Sequence, residues 1–258
     1  MAKWLKLALA QTPLDWEDPA ANRRRFDALL GSLEGQPDLI ILPELFTIGF
    51  TMEPGNLDPA EAGRTLAWMQ AKAAQTHAAL TGSLAWPLAE GYVNRMVFMR
   101  SDGTHEFYDK RHTFTLAGED RVYQRGNRKV VWEFRGFRIC PQICYDLRFP
   151  VFSRNVEDYD LLLYVANWPN TRIGAWDALL KARAIENMAF TAGVNRIGED
   201  PNGHTYTGHS AVYDALGRKM IYSESPGWLE VALDRDQMLA TRQKLRFLQD
   251  RDTFTPGW

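Results

Sequence analysis

The stretch of sequence that decides the fold, residues 139–150, reads ICPQICYDLRFP. Its first half is apolar, as in a buried strand, and the strand should end at Cys144, before a polar turn and Pro150, which can open a helix. A thiol at a strand-to-helix turn is well placed to act as a nucleophile, because the backbone amide that follows can point to the same position as the sulfur. Such a thiol still needs a base, and a cation for the oxyanion.

Outward from this stretch, apolar runs alternate with segments of helical periodicity. Helices are predicted over residues 19–33, 60–76, 173–187 and 235–242. Strands are predicted over residues 6–10, 38–42, 80–85, 93–99, 104–108, 130–134, 137–143, 161–165, 189–194, 210–214, 219–223 and 229–233. About a dozen strands favour two sheets, because one sheet rarely exceeds ~10 strands. We find no repeat and no linker, so the pattern predicts one α/β domain in which helices cover the sheets.

Composition excludes several classes of protein. The net charge of −2 gives no electrostatic footprint for nucleic acid or for an anionic membrane. No apolar run approaches the ~20 residues of a membrane span, and the first residues lack the apolar core of a signal peptide. Cys140 and Cys144, the two cysteines, are too far apart along a strand for a local disulfide. We therefore expect reduced thiols in a soluble, cytoplasmic protein.

Two charged residues follow predicted strands in the same way as Cys144. Glu44 comes after the apolar run at residues 38–42, where loss of solvation would make its carboxylate a usable base near neutral pH. A solvated glutamate or a helix N-cap is an equal alternative. Lys110 follows the strand at residues 104–108 and could hold an oxyanion, although the basic residues after it also suit a solvated turn.

The remaining residues with reactive side chains leave alternatives open. Cys140 lies inside the apolar run and is interpreted as a small buried hydrophobe. Glu119 is a loop carboxylate that could simply be solvated, and a Cys–His pair formed with His112 or His209 is not excluded by the sequence. We find no Gly-rich phosphate loop, no serine nucleophile elbow and no metal spacing that includes cysteines, so no cofactor and no metal are predicted.

Three motifs taken together resemble the nitrilase, or carbon–nitrogen hydrolase, superfamily, which uses a Glu-Lys-Cys triad in this order. They read LPE at residues 42–44, YDKRH at 108–112 and ICYDLRFP at 143–150. The similarity covers nearly the whole chain. Its details RHTF at 111–114 and YVANWP at 164–169 are most similar to the omega-amidase branch.

The resemblance implies a four-layer α-β-β-α sandwich, formed by a single carbon–nitrogen hydrolase domain over residues 1–258, and a homodimer. In the omega-amidase branch the substrates are short dicarboxylic acid monoamides, 2-oxoglutaramate and 2-oxosuccinamate. Their terminal amide is hydrolysed to the acid and ammonia through a cysteine thioester. Other amides, carbamoyl compounds and nitriles are alternative substrates within the superfamily. A non-catalytic binding or scaffold protein on the same fold is the alternative outside it.

The resemblance also implies roles for individual residues. Glu44 would be the base, Cys144 the nucleophile and Lys110 the cation at the oxyanion, which the backbone N–H of Tyr145 would also hold. Glu119 matches the family's second glutamate, and it would orient the substrate amide and support Lys110. On this interpretation the lysine cation favours the thiolate form of Cys144.

The free carboxylate of such a substrate needs a cation. Arg148, just past the nucleophile, is the first candidate, and Arg172 and Arg196 are others. An ion pair with Asp146 would instead give Arg148 a structural role. The residues predicted to wall a small substrate pocket are Phe114, Tyr145 and Trp168.

Overall fold

The computed structural model describes residues 3–254, which form five α-helices and fourteen strands. The helices are α1 (Pro19–Gly31), α2 (Glu61–Thr76), α3 (Pro150–Ser153), α4 (Ile173–Asn187) and α5 (Arg235–Leu245). The strands are β1 (Trp4–Gln11), β2 (Leu39–Ile41), β3 (Ala79–Pro87), β4 (Tyr92–Met99), β5 (His105–Asp109), β6 (Trp132–Phe134), β7 (Phe137–Ile143), β8 (Leu161–Ala166), β9 (Phe190–Asn195), β10 (Ile197–Glu199), β11 (Thr205–Thr207), β12 (Ser210–Tyr213), β13 (Lys219–Ser223) and β14 (Gly227–Asp234).

Two six-stranded sheets are built on the same plan. Their strand orders are β14-β1-β2-β3-β4-β5 and β13-β12-β9-β8-β7-β6. Three parallel strands lie in the middle of each sheet, β1 to β3 in the first and β7 to β9 in the second, and every other pairing is antiparallel. Because the carboxyl ends of parallel strands meet at one edge of a sheet, residues that follow β2, β7 and β8 can be gathered into one site.

The apolar cores show how the sheets and helices are layered. Leu7 of β1 and Leu163 of β8 belong to one core between the two sheets. A second core joins the other face of the first sheet to α1 and α2 and includes Phe26. A third joins Leu162 of β8 to Trp176 of α4. Side chains that alternate along a strand therefore enter different cores, and the four-layer α-β-β-α sandwich is confirmed.

The predicted elements agree with the structure except at a few places. The small hairpin of β10 and β11 was not predicted, because three-residue strands are too short to show an alternating pattern. The last helix extends beyond residue 242 to Leu245. Cys144 lies outside β7 and begins a 3₁₀ turn, Cys144–Arg148, whereas Cys140 lies within β7.

Two further observations concern sequence features considered above. Both Cys140 and Cys144 are free thiols. Within residues 3–254, no helix combines the length and the apolar character needed to cross a membrane.

Candidate active site

A wholly buried lysine lies between two wholly buried carboxylates where strands of the first sheet end. The Nζ of Lys110, directly after β5, lies 2.8 Å from Oε1 of Glu44, which follows β2. The same Nζ lies 2.9 Å and 3.0 Å from the two carboxylate oxygens of Glu119. The structure therefore brings together three of the residues that the sequence singled out, and none of the three is solvated.

Amide groups from other segments hold the two carboxylates in place. The Nδ2 of Asn94, on β4, donates to Oε1 of Glu44 at 2.8 Å, and the backbone N–H of Asn167, after β8, donates to Oε2 at 2.8 Å. The backbone N–H of Phe114 donates to Glu119. Since Asn167 belongs to the second sheet, its contacts with Glu44 join the carboxyl ends of the two sheets.

The nucleophile candidate sits on a constrained turn. Cys144 has a φ of 43°, in the left-handed region that non-glycine residues rarely adopt. Asp146 fixes this turn, because its carboxylate accepts hydrogen bonds from the backbone N–H of Ile143 at 2.9 Å and from the Tyr108 hydroxyl at 2.7 Å. It also accepts one from the backbone N–H of His112 at 2.9 Å. The side chain of Cys144 remains partly accessible.

Burial and the surrounding charges favour the protonated form of the Cys144 thiol. Burial, and then the negative charge of Glu44, raises the pKa of the Cys144 thiol well above its usual value, and the Lys110 cation only partly opposes them. The Glu44 carboxylate lies close enough to the thiol to raise this pKa both by its charge and as a hydrogen-bond acceptor. Burial and the two carboxylates together outweigh the lysine, so the resting site favours the thiol and not the expected thiolate. The arrangement suits a thiol that loses its proton to Glu44 as it attacks.

Lys110 carries a positive charge at neutral pH. Burial by itself lowers the pKa of this lysine, but Glu119 and Glu44 outweigh burial and raise it above its ordinary value. For Glu119, burial raises the pKa while the Lys110 cation lowers it, and the result is a raised pKa. A fixed cation beside the thiol can stabilise an oxyanion without moving during the reaction.

A cavity of about 490 Å³ opens onto the thiol. Its wall contains Cys144, Tyr145, Phe114, Trp168 and Arg148, so every predicted pocket residue lies in it. Glu44, Lys110 and Glu119 do not line it, and the expected role of Glu119 in orienting the substrate stays a prediction. Among residues 3–254, no group of three or more histidine, cysteine and acidic side chains is placed to hold a metal ion.

Residues 6–243 match the model of one family, described as carbon-nitrogen hydrolase. The chain belongs to the carbon–nitrogen hydrolase family. It is 47% identical to omega-amidase YafV of Yersinia enterocolitica, over 97% of this chain and 98% of that one. It is 29% identical to the 2-oxoglutaramate amidase of Bacillus subtilis, over 96% of this chain and 97% of that one.

A solved structure agrees with this membership. It is that of a CN-hydrolase superfamily protein from Xanthomonas campestris with an arsenic adduct in the active site. The two structures match with a TM-score of 0.95 and 42% sequence identity, and the match covers 100% of both chains. The sequence motifs therefore identified the family correctly.

The wall of the hydrolase cavity carries two guanidinium groups. Arg148 stacks over the Trp168 ring at 4.9 Å, and Arg172 stacks over the Phe114 ring at 5.1 Å. Neither side chain has a carboxylate partner in the part of the chain that the structure describes. The alternative of an ion pair between Arg148 and Asp146 is wrong, because Asp146 is bound to the groups at the turn.

Arg196, the third candidate, is placed differently. It is buried outside the cavity wall, and its guanidinium donates to the backbone carbonyls of Leu14 and Glu199 at 3.1 Å and 2.9 Å. It stacks over Tyr206, which does line the cavity. Arg196 therefore supports the wall from behind instead of facing a ligand.

The histidines considered as partners of the thiol are engaged elsewhere. Nδ1 of His112 lies 2.7 Å from Asp146, and Nδ1 of His209 lies 3.0 Å from Asp177. Neither ring lines the cavity, whereas the Glu44 carboxylate is close enough to Cys144 to raise the pKa of its thiol. The geometry favours the glutamate as the base.

Sequence reasoning missed two residues of the site, Asn94 and Asn167. Asn94 lies inside β4 between Val93 and Arg95, and an amide within a mainly apolar strand is the signal that could have indicated it. Asn167 follows β8 directly, as Cys144 follows β7, and this shared position after parallel strands could have indicated it.

Proposed function

We propose that this hydrolase is an omega-amidase that cleaves the terminal amide of short dicarboxylic acid monoamides, such as 2-oxoglutaramate and 2-oxosuccinamate. The observation that carries the proposal is the cavity itself. A thiol close to the Glu44 carboxylate opens onto it, and two guanidinium groups without carboxylate partners in the described part of the chain stand in its wall. Both guanidinium groups line the same cavity as the thiol, so they are available to the distal carboxylate of a substrate whose amide lies at the thiol. The similarity to omega-amidase YafV supports the same choice.

In the proposed acylation step, Cys144 transfers its proton to Glu44 while the sulfur attacks the amide carbon. The Lys110 ammonium and the backbone N–H of Tyr145 hold the developing oxyanion. The carbon–nitrogen bond then breaks, and Glu44 passes its proton to the departing nitrogen, which leaves as ammonia. A thioester between the acyl group and Cys144 remains.

In the proposed deacylation step, Glu44 accepts a proton from water, and the resulting hydroxide attacks the thioester carbon. The second oxyanion occupies the same site beside Lys110. The carbon–sulfur bond breaks, the sulfur recovers its proton from Glu44, and the free acid leaves. Glu119 has no direct step in this scheme, because its two oxygens accept hydrogen bonds from Lys110 and hold that lysine in position.

Arg148 is the proposed partner of the substrate carboxylate, and Arg172 is a second cation in the same wall. A guanidinium can bind a carboxylate through two parallel hydrogen bonds. The Trp168 and Phe114 rings under the two guanidinium groups would restrict their movement, so less freedom is lost when an anion binds. This assignment predicts a preference for anionic over neutral amides.

We also propose that the chain is one domain over residues 1–258, that it forms a homodimer and that it works in the cytoplasm. The free thiols suit a reducing compartment. Two exposed apolar side chains are available to a second copy of the chain, Val151 of α3, which is 57% exposed, and Ile185 of α4, which is 46% exposed. Analytical ultracentrifugation of the wild type and of Ile185→Glu tests this: a wild-type monomer would refute the dimer.

Ammonia release from 2-oxoglutaramate tests the proposed activity. We expect rapid release by the wild type and a much slower release from a neutral amide of similar length. A panel of carbamoyl compounds and nitriles belongs in the same experiment, because these substrates need the same thiol chemistry but a different pocket. Turnover of a nitrile or a carbamoyl compound in preference to every ω-amide would refute the proposed function while leaving the family membership intact.

A further inference from the structure

Asn167 carries an unused hydrogen-bond acceptor beside the thiol. Its side chain is 4% exposed, it lines the cavity together with Cys144, and its Oδ1 is a buried atom with no hydrogen-bond partner in residues 3–254. Buried polar atoms are almost always paired, because an unpaired one loses its contact with water without compensation. An acceptor left free in the wall of an active-site cavity is therefore suited to a donor on the substrate.

The orientation of this amide is fixed by its other contacts. The Nδ2 of Asn167 donates to the backbone carbonyl of Glu44 at 2.7 Å, and its backbone N–H donates to Oε2 of the same residue. Rotating the side-chain amide by half a turn would place Oδ1 of Asn167 against the backbone carbonyl oxygen of Glu44, and neither atom carries a hydrogen to donate. Oδ1 is thus the atom that stays unpaired, and it is held close to the base.

Oδ1 of Asn94 is also unpaired among the residues that the structure describes, but Asn94 does not line the cavity, and both oxygens of Glu119 are already occupied. Oε1 of Glu119 accepts from Lys110 and Asn94, at 2.9 Å and 3.4 Å. Oε2 of Glu119 accepts from Lys110 at 3.0 Å and from the backbone N–H of Phe114. A primary amide brings two N–H donors into the site, and Glu119 has no room for either of them.

We infer that Oδ1 of Asn167 accepts an N–H bond of the substrate's primary carboxamide. This contact turns the amide nitrogen towards Glu44, from which the nitrogen takes its proton as the carbon–nitrogen bond breaks and ammonia leaves. Asn167 is then a substrate-binding residue that selects amides over esters, because an ester oxygen has no hydrogen to donate. The inference rests on the proposed function, since it assumes that the substrate is a primary amide.

The test compares an amide and an ester that form the same thioester. Wild type, Asn167→Ala and Asn94→Ala are assayed with 2-oxoglutaramate and with the ω-methyl ester of 2-oxoglutarate. The two substrates share the acyl-enzyme and its hydrolysis, so the ratio of their kcat/KM values reports only the acylation step. Asn94→Ala is the matched control, because it also removes a donor to Glu44 but lies outside the cavity wall.

The expected result is a fall in the amide-to-ester ratio of about tenfold for Asn167→Ala, with the ratio of Asn94→Ala unchanged. A purely structural role in holding Glu44 would slow both substrates equally. Equal losses in Asn167→Ala would therefore overturn the inference. Circular dichroism verifies folding, and Asn167→Ser, whose hydroxyl is too short to replace Oδ1, gives the same ratio if the alanine variant does not fold.

Failure of this inference is distinguishable from failure of the proposed function. A wild type that releases ammonia from 2-oxoglutaramate, together with an unchanged ratio in Asn167→Ala, overturns the role of Asn167 only. A wild type that releases ammonia from no primary amide overturns both.

Discussion

The buried cluster of Lys110, Glu44 and Glu119 and the cavity wall with Arg148 and Arg172 use charge in opposite ways. In the cluster, the lysine lies within hydrogen-bond distance of both carboxylates, and no atom of the three side chains reaches solvent. In the wall, each guanidinium rests on an aromatic ring and has no carboxylate partner among residues 3–254. The charges of the cluster are thus paired within the protein, whereas the two guanidinium charges of the wall have no carboxylate partner among those residues and are, in the proposed function, available to the substrate.

This difference follows from where the residues lie in the chain. Glu44 and Lys110 follow strands of one sheet, and the pairing of those strands fixes the distance between the two residues. Arg148 and Arg172 lie in short 3₁₀ turns that begin after β7 and β8. Rigid placement suits oxyanion stabilisation, which depends on preorganised charge. The turn Asn170–Arg172 has no buried residue and can differ in sequence without disturbing the core, whereas the turn that carries Arg148 also contains Cys144 and the buried Asp146.

The largest expected effect concerns the thiol that connects the two regions. Cys144→Ala should lower kcat by at least about four orders of magnitude, because no thioester can form. Cys140→Ala is the matched control: that cysteine is buried in the third core and has no contact with the cluster, so its loss should change stability only slightly. Ammonia release by both variants is the measurement, and substantial turnover by Cys144→Ala would refute the mechanism.

Glu44→Gln should separate the reactivity of the thiol from turnover. Removing the carboxylate abolishes proton transfer, so kcat should fall by about a thousandfold. The same change removes the charge that, after burial, most raises the pKa of Cys144, so the thiol should ionise at lower pH than in the wild type.

Alkylation by iodoacetamide between about pH 7 and pH 9 measures this second effect. In the wild type the rate should still be rising at the upper end, since the thiol pKa is raised. In Glu44→Gln the alkylation rate should begin to rise at a lower pH than in the wild type. Slower alkylation of Glu44→Gln than of the wild type across the whole range would contradict the charge balance described for the cluster.

Lys110→Met tests whether the cluster is as tightly balanced as its geometry indicates. It leaves Glu44 and Glu119 buried without their cation, and the free energy of unfolding should fall by about 3–5 kcal/mol. Lys72→Met is the control, because it breaks the partly exposed pair with Asp27 and should change stability by less than about 1 kcal/mol.

Urea denaturation at two pH values completes this test. Without the lysine, the buried carboxylates keep their protons to higher pH than in the unfolded chain, so the folded state binds more protons. The loss of unfolding free energy in Lys110→Met, relative to the wild type, should therefore shrink from about pH 7 to about pH 5. A deficit that grew on acidification would show that the two carboxylates find another partner.

The smallest expected effect is in the cavity wall. Arg148→Gln should raise KM for 2-oxoglutaramate, and lower kcat/KM about tenfold or more, because a charge-assisted contact with the substrate is lost. Turnover of a neutral amide should change little. If both substrates were affected equally, Arg148 would act on the nucleophile turn and not on the substrate carboxylate, and Arg172→Gln would become the informative variant.

Much of this protein could be predicted from its sequence, because local patterns report burial and chain reversal directly. The apolar run that ends at Cys144, and the similar positions of Glu44 and Lys110 after strands, indicated a site at strand ends. The spacing and order of the motifs indicated the family and with it the layered sandwich. The short hairpin of β10 and β11 was missed, since its strands contain too few residues to form a pattern.

Only the tertiary structure decided how the charges combine. Glu44 and Asn167 are 123 residues apart in the chain, and their hydrogen bonds exist because two separate sheets end at the same place. The raised pKa of the Cys144 thiol depends on its burial and on the buried charges around it, and no local pattern records how these combine. Periodicity in the sequence shows which side chains are buried. The order of strands in the sheets determines which of the buried side chains are in contact, and electrostatic interactions depend on those contacts.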